Sequence, residues 1–194
     1  GVLDAGQDVY LIDWGYPDAA DRYLTLDDYI NGYIDNCVRF VCEANNIDKI
    51  NLLGICQGGA FSLCYTALNP DRVKNLITMV TPVDFQTKEN MLSHWIQKVD
   101  VDLLVDTMGN VSGDHLNWTF LNLKPYALMS QKYVNMVDIM DNPKVLKNFM
   151  RMEKWIFDSP DQAGAAYAEF MKQFYQQNGL IKGTVEIGGK TVSL

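Results

Sequence analysis

The chain has 194 residues, 48% of them hydrophobic and 21% charged, with a formal net charge of -8. This apolar content excludes a disordered chain, and the acidic balance argues against nucleic acid as the main partner, since phosphate binding needs clustered Lys and Arg. No apolar run approaches the ~18 residues that span a bilayer, and no basic start precedes an apolar signal core, so a cytoplasmic protein with no membrane span is the default expectation.

In chain order, residues 9–14 (VYLIDW) form a short apolar run broken by Gly15-Tyr16-Pro17, the pattern of a buried strand in a parallel sheet. Thr25 with Asp28 three residues on is a variant of the capping box. Leu26, Tyr29, Ile30, Tyr33, Ile34, Cys37, Val38 and Val41 then follow the spacing of one helical face, which predicts a helix to about Ala44 with Asn45-Asn46 as its stop. Residues 50–53 (INLL) read as a second strand, 60–68 as a helix stopped by Asn69-Pro70, and 76–80 (LITMV) as a third strand. Strand, helix, strand, helix, strand with short joins is the signature of a doubly wound parallel α/β sheet.

Beyond Pro82 the character changes. Residues 83–179 hold Trp95, Trp118 and Trp155 and most of the Met, without buried strands, and read as a helical insertion. Residues 133–140 and 145–155 are its clearest helices. Residues 183–194 surround Gly188-Gly189 with two short β-like runs, a hairpin signal. The expected organisation is a core part over 1–82, a helical cap over 83–179 and a return to the core over 180–194. The chain opens on Gly1 and closes just after a strand-like run, so an internal segment of a longer protein is expected.

The chemistry concentrates at Gly54-Ile55-Cys56-Gln57-Gly58-Gly59, between a predicted strand and a predicted helix. A nucleophile elbow needs this context: the side chain projects from a sharp turn that leaves no room at two flanking positions, here Gly54 and Gly58. Gly59 adds a small residue where the helix must approach the sheet. A helix N-terminus favours the nucleophilic thiolate, and the N–H of Gln57 is the expected oxyanion donor. A Cys acyl-enzyme is a thioester, still reactive enough to acylate an alcohol, so the residue type leans toward thioester transfer. Against this stands a buried structural Cys beside flexible glycines. Cys37 and Cys64 read as core, and Cys42 has no distinguishing context. No metal-ligand spacing is present, and no cofactor or metal is expected.

The stretches DVYLIDWGYPDAADRYLTLDDYINGYID, LLGICQGGAFSLCYTALNP, TMVTPVDFQT, LNWTFLNLKP and NFMRMEKWIFDSPDQAG together resemble the catalytic subunit of class III polyhydroxyalkanoate synthases, with class IV a close second. The resemblance covers essentially the whole chain. It implies an α/β-hydrolase fold with a helical cap, Cys56 as nucleophile, and (R)-3-hydroxyacyl-coenzyme A as substrate, polymerised with release of coenzyme A. It further implies an accessory E-type or R-type subunit, an oligomer, and association with polyester granules. The family's Asp and His partners would fall beyond residue 194, and the segment giving the second oxyanion donor before residue 1. His94, His115, Asp13 and Asp84 are therefore expected in packing or loop-structuring roles. The alternatives are a Cys hydrolase of the dienelactone hydrolase kind, and a non-catalytic segment that binds a partner.

Overall fold

The capping box forms as the sequence predicts. Thr25 N–H donates to the Asp28 carboxylate at 2.8 Å, and Asp28 N–H donates to Thr25 Oγ1 at 3.3 Å. In a computed structural model that describes all 194 residues, the helix so started is π-helical over Asp28–Ile34 and α-helical over Asp35–Asn45 (α1). It ends at Asn46, which takes the left-handed conformation. The π-helical turns change which face is buried. The core residues are Leu26, Ile30, Ile34, Val38 and Cys42, at strict intervals of four. The wider i→i+5 turns hold that spacing on one side. As a result Cys42 enters the core, and Cys37, expected there, is only half-buried.

Strand β1 (Ile50–Ile55) leads through Cys56 into α2 (Gln57–Leu68), and β2 (Val73–Met79) returns parallel to β1, with Leu53 opposite Ile77 and Ile55 opposite Met79. A parallel pair needs such a crossover. Helix α2 packs on one side of the pair, while Leu53, Ile55, Ile77 and Met79 are exposed on the other. The sheet has two strands, so residues 9–14 do not form the buried strand the sequence predicts. Leu11 is 92% exposed, and the segment has no ladder partner to satisfy its backbone.

Helices follow in series: α3 (Met91–Ile96), α4 (Val101–Met108), α5 (Gly113–Leu123), α6 (Lys132–Val137), α7 (Pro143–Phe157) and α8 (Gly164–Phe170). A π-helical stretch over Met171–Gln176 continues α8, and α9 (Gly179–Lys182) precedes the hairpin β3 (Glu186–Ile187) and β4 (Lys190–Thr191). Gly188 and Gly189 both have positive φ, as a two-residue hairpin turn requires. Val185, Ile187 and Val192 anchor the hairpin in the core.

The aromatic residues divide in an unexpected way. Trp95, Trp118 and Trp155 are exposed, whereas Phe residues join the layers. Phe61 of α2 meets Phe170 edge-on at 5.7 Å, and Phe85 meets Phe170 at 5.9 Å and Phe174 at 5.7 Å. Each buried Phe contributes about 1.5–3 kcal/mol by leaving water, so this cluster is the main attachment of the helical region to α2.

Candidate active site

Cys56 stands between β1 and α2 with φ 54 and ψ -120, a conformation that costs a non-glycine residue of order 1–3 kcal/mol. Its N–H donates to the Met79 carbonyl at 3.0 Å, extending the β1–β2 ladder by one bond. Its carbonyl already accepts from Gly59 and Ala60 N–H, at 3.0 and 3.2 Å, as the first bonds of α2. The turn is therefore fixed on both sides, and its side chain is exposed at the sheet end. The N–H groups of Gln57 and Gly58 have no acceptor in the chain. They are the orphan donors of a helix N-terminus beside a thiol, the arrangement that can hold a developing oxyanion.

The glycines around the turn divide differently from the expectation. A Cβ on Gly54 would lie 2.5 Å from Gly58 O and from Ser62 Oγ, and 2.7 Å from Gly59 Cα, so glycine is required. A Cβ on Gly59 would collide with the Thr81 side chain. A Cβ on Gly58 would meet nothing within 4 Å. The tight pair is thus Gly54 and Gly59, because β2 turns back over the helix start at Thr81. Val80, just before it, also has positive φ, at 45, where a β-branched residue is strained.

The remaining candidates lie elsewhere. His94 Nε2 is 3.0 Å from the Lys88 carbonyl, and His115 opens α5, where its N–H bonds Ser112 Oγ. Neither makes a hydrogen bond with Cys56. Asp13 accepts from Gly15 N–H at 3.0 Å. Asp84 accepts from Gln86 N–H at 2.9 Å and Asn178 Nδ2 at 2.8 Å, and these donors hold its carboxyl below the usual range. Both Asp residues structure their loops. Cys64 is fully buried, and burial pushes its thiol up to about 12, which makes it inert.

Two residues from the helical region reach the elbow unannounced by any motif. Gln162 pairs with the Gln57 side chain through two amide hydrogen bonds, of 2.9 and 3.2 Å. Tyr175 sits on the π-helical stretch, its ring edge-on to Phe85 at 4.7 Å. Its phenol is pushed up to about 12, first by burial and then by the charge of the Cys56 thiolate and of Tyr167. It stays a neutral phenol, coupled to Cys56 through charge and without a hydrogen bond to it. The π-helical run is the one signal that could have marked it, since such turns gather at functional sites, but periodicity does not reveal them.

A parallel strand pair, a crossover helix and a strained turn between them fit the α/β hydrolase class. Residues 1–185 match the family model of the alpha/beta hydrolase fold, and the chain belongs to that family. Among curated proteins it is 68% identical over 194 residues to the poly(3-hydroxyalkanoate) polymerase subunit PhaC of Allochromatium vinosum, covering all of this chain and 55% of that protein. The subunit of the same name from Synechocystis is 56% identical over 199 residues, with 53% of its length covered, and that of Cupriavidus necator 26% identical over 205 residues, with 34% covered. The chain spans about half the length of the more similar of these relatives.

Proposed function

We propose that the chain carries the nucleophile and cap of a poly(3-hydroxyalkanoate) polymerase. The observation that carries this reading is the Cys56 elbow, with φ 54 at the start of α2, in a chain 68% identical to a polymerase subunit. Residues 1–82 supply part of the core, 83–179 the cap, and 180–194 return to the core. The Cys56 thiolate attacks the thioester carbonyl of an (R)-3-hydroxyacyl-coenzyme A. The carbonyl oxygen takes up the negative charge against the free N–H of Gln57. Collapse breaks the C–S bond to coenzyme A, which leaves as a thiol after taking a proton, and the acyl group stays on Sγ as a thioester. The 3-hydroxyl of another unit then attacks that thioester, losing its proton as the ester forms and the Cys56 thiolate is restored. The base for this step is the Asp–His pair that the resemblance implies, because the His94 ring bonds the Lys88 carbonyl and neither His94 nor His115 hydrogen-bonds Cys56. Gly54 and Gly59 serve by allowing the close approach that sets the turn.

The polymerase reading brings with it an accessory subunit, an oligomer and a place at the surface of polyester granules. No helix is long and apolar enough to cross a membrane. The test is Cys56→Ala in the full-length protein, given 3-hydroxybutyryl-coenzyme A. Wild type should release coenzyme A and form polymer, and the variant neither. Free hydroxy acid without polymer would instead support a Cys hydrolase. Polymer from the variant would refute the nucleophile.

A further inference from the structure

The reciprocal amide pair between Gln57 and Gln162 provides the only hydrogen bonds joining α2 to the helical region. The two residues are 105 apart in sequence, and each is held stiffly from behind. Gln57 follows the strained Cys56 directly, as the first residue of α2. Gln162 forms an isolated antiparallel bridge with Val111, through Val111 N–H to Gln162 O at 2.9 Å and Gln162 N–H to Val111 O at 2.8 Å.

The flanking residues tighten that bridge. Gly113 N–H donates to Asp161 Oδ1 at 3.0 Å, and Gly164 N–H donates to Asn110 Oδ1 at 3.2 Å. A Cβ on Gly113 would strike the Ser159 carbonyl, and one on Gly164 the Gly109 carbonyl, so the two segments touch backbone to backbone. A side chain mounted on such a double strand is a fixed point. The carboxamide pair transmits it to the residue whose peptide N–H stands beside the nucleophile.

We propose that Gln162 is a positioning residue for the Cys56 site, acting through its amide pair with Gln57. The pair sets the attitude of the first turn of α2, and with it the Gln57 N–H. Two neutral amides suit this place. A carboxylate at either position would put two acceptor oxygens face to face at one of the two bonds, and would add negative charge beside an oxyanion. The catalytic part of this inference rests on the polymerase reading. The structural part does not.

The experiment separates them, using full-length protein as wild type, Gln162→Met, Gln57→Met and the double variant. Methionine keeps length and removes the hydrogen bonds. The first readout is hydrogen exchange at the Gly59 and Ala60 amides, which bond the Cys56 carbonyl. Gln162→Met should speed it roughly tenfold, the worth of one to two neutral hydrogen bonds, and the double variant should exchange no faster than the faster single. Unchanged exchange, or effects that multiply, would overturn the proposal whether or not the protein is a polymerase. The second readout is the burst of coenzyme A from 3-hydroxybutyryl-coenzyme A. Gln162→Met should load about tenfold more slowly at saturating substrate, with KM within twofold and the thermal midpoint nearly unchanged. Faster exchange with wild-type loading would reduce the pair to a structural tie and overturn the positioning role. A wild type that releases no coenzyme A would refute the polymerase reading, and the exchange result would still decide the pair.

Discussion

The three glycines of the elbow should respond to alanine in opposite directions. At Gly54 the new methyl would lie 2.5 Å from Gly58 O and Ser62 Oγ, well inside contact distance, and two of its three nearest atoms are backbone. The clash has no flexible side chain alone to absorb it, so α2 must lift from β1, an overpacking cost of about 1–3 kcal/mol. Gly59→Ala meets Thr81, whose hydroxyl bonds the Met79 carbonyl at 3.1 Å, and the strained turn at Val80 must move with it, at a similar cost. Gly58→Ala meets open space at a helical position without positive φ, so it should gain about 0.4–1 kcal/mol from the reduced entropy of the unfolded chain. Urea unfolding of the 194-residue chain and its three variants measures these differences directly. Two midpoints below wild type and one above it are expected. Gly58→Ala as damaging as Gly54→Ala would refute the assignment of the tight pair and the elbow geometry behind it.

Other expected outcomes follow from single contacts. Tyr175→Phe keeps the ring against Phe85 and Phe170 and removes only the hydroxyl. It should slow acyl loading by about tenfold or more without moving the unfolding midpoint, and a wild-type loading rate would show the hydroxyl idle. Asn178→Ala removes a buried side chain that accepts from Phe85 N–H at 2.9 Å and donates to Asp84. It should destabilise by about 1–3 kcal/mol, since Phe85 N–H is left without its acceptor, and urea unfolding checks it. Stability should also fall at high pH. Burial raises Cys64 from 9.0 and Tyr175 from 10.0, each to about 12, so between those values the unfolded state loses a proton that the folded state keeps. Each group thus contributes stability below its unfolded value that is lost as pH rises toward 12, at a slope of up to about 1.4 kcal/mol per pH unit. Cys64→Ala should flatten the fall in stability above pH 9, as measured by unfolding at stepped pH.

Local rules made much of the fold readable. The Thr25–Asp28 box, the Asn46 stop, the helix ended at Asn69 and the Gly188-Gly189 hairpin turn are contacts within a few residues, and the sequence carries them unaided. Cys56 was legible for the same reason, as a strand, a turn and a helix meet within a dozen residues. Failures came where a partner decides the outcome. Residues 9–14 have strand composition and no strand beside them. The π-helical run over Asp28–Ile34 moved Cys42 inward because hydrogen-bond pattern, unlike hydrophobicity, leaves no periodic mark. Gly58 and Gly59 exchanged roles because Thr81, 22 residues further along, sets the tight contact. Gln162 and Tyr175 were invisible for the plainest reason: the contacts that define them are long-range, Gln162 with Gln57 across 105 residues and Tyr175 with Phe85.

In the proposed reaction Cys56 carries the acyl group. Full-length protein mixed briefly with 3-hydroxybutyryl-coenzyme A, quenched in acid and mapped by peptide mass spectrometry, tests it directly. A hydroxylamine-labile hydroxyacyl adduct is expected on the peptide containing Cys56, with Cys37, Cys42 and Cys64 unmodified. An adduct on another residue, or polymer formed with Cys56 never acylated, would contradict it.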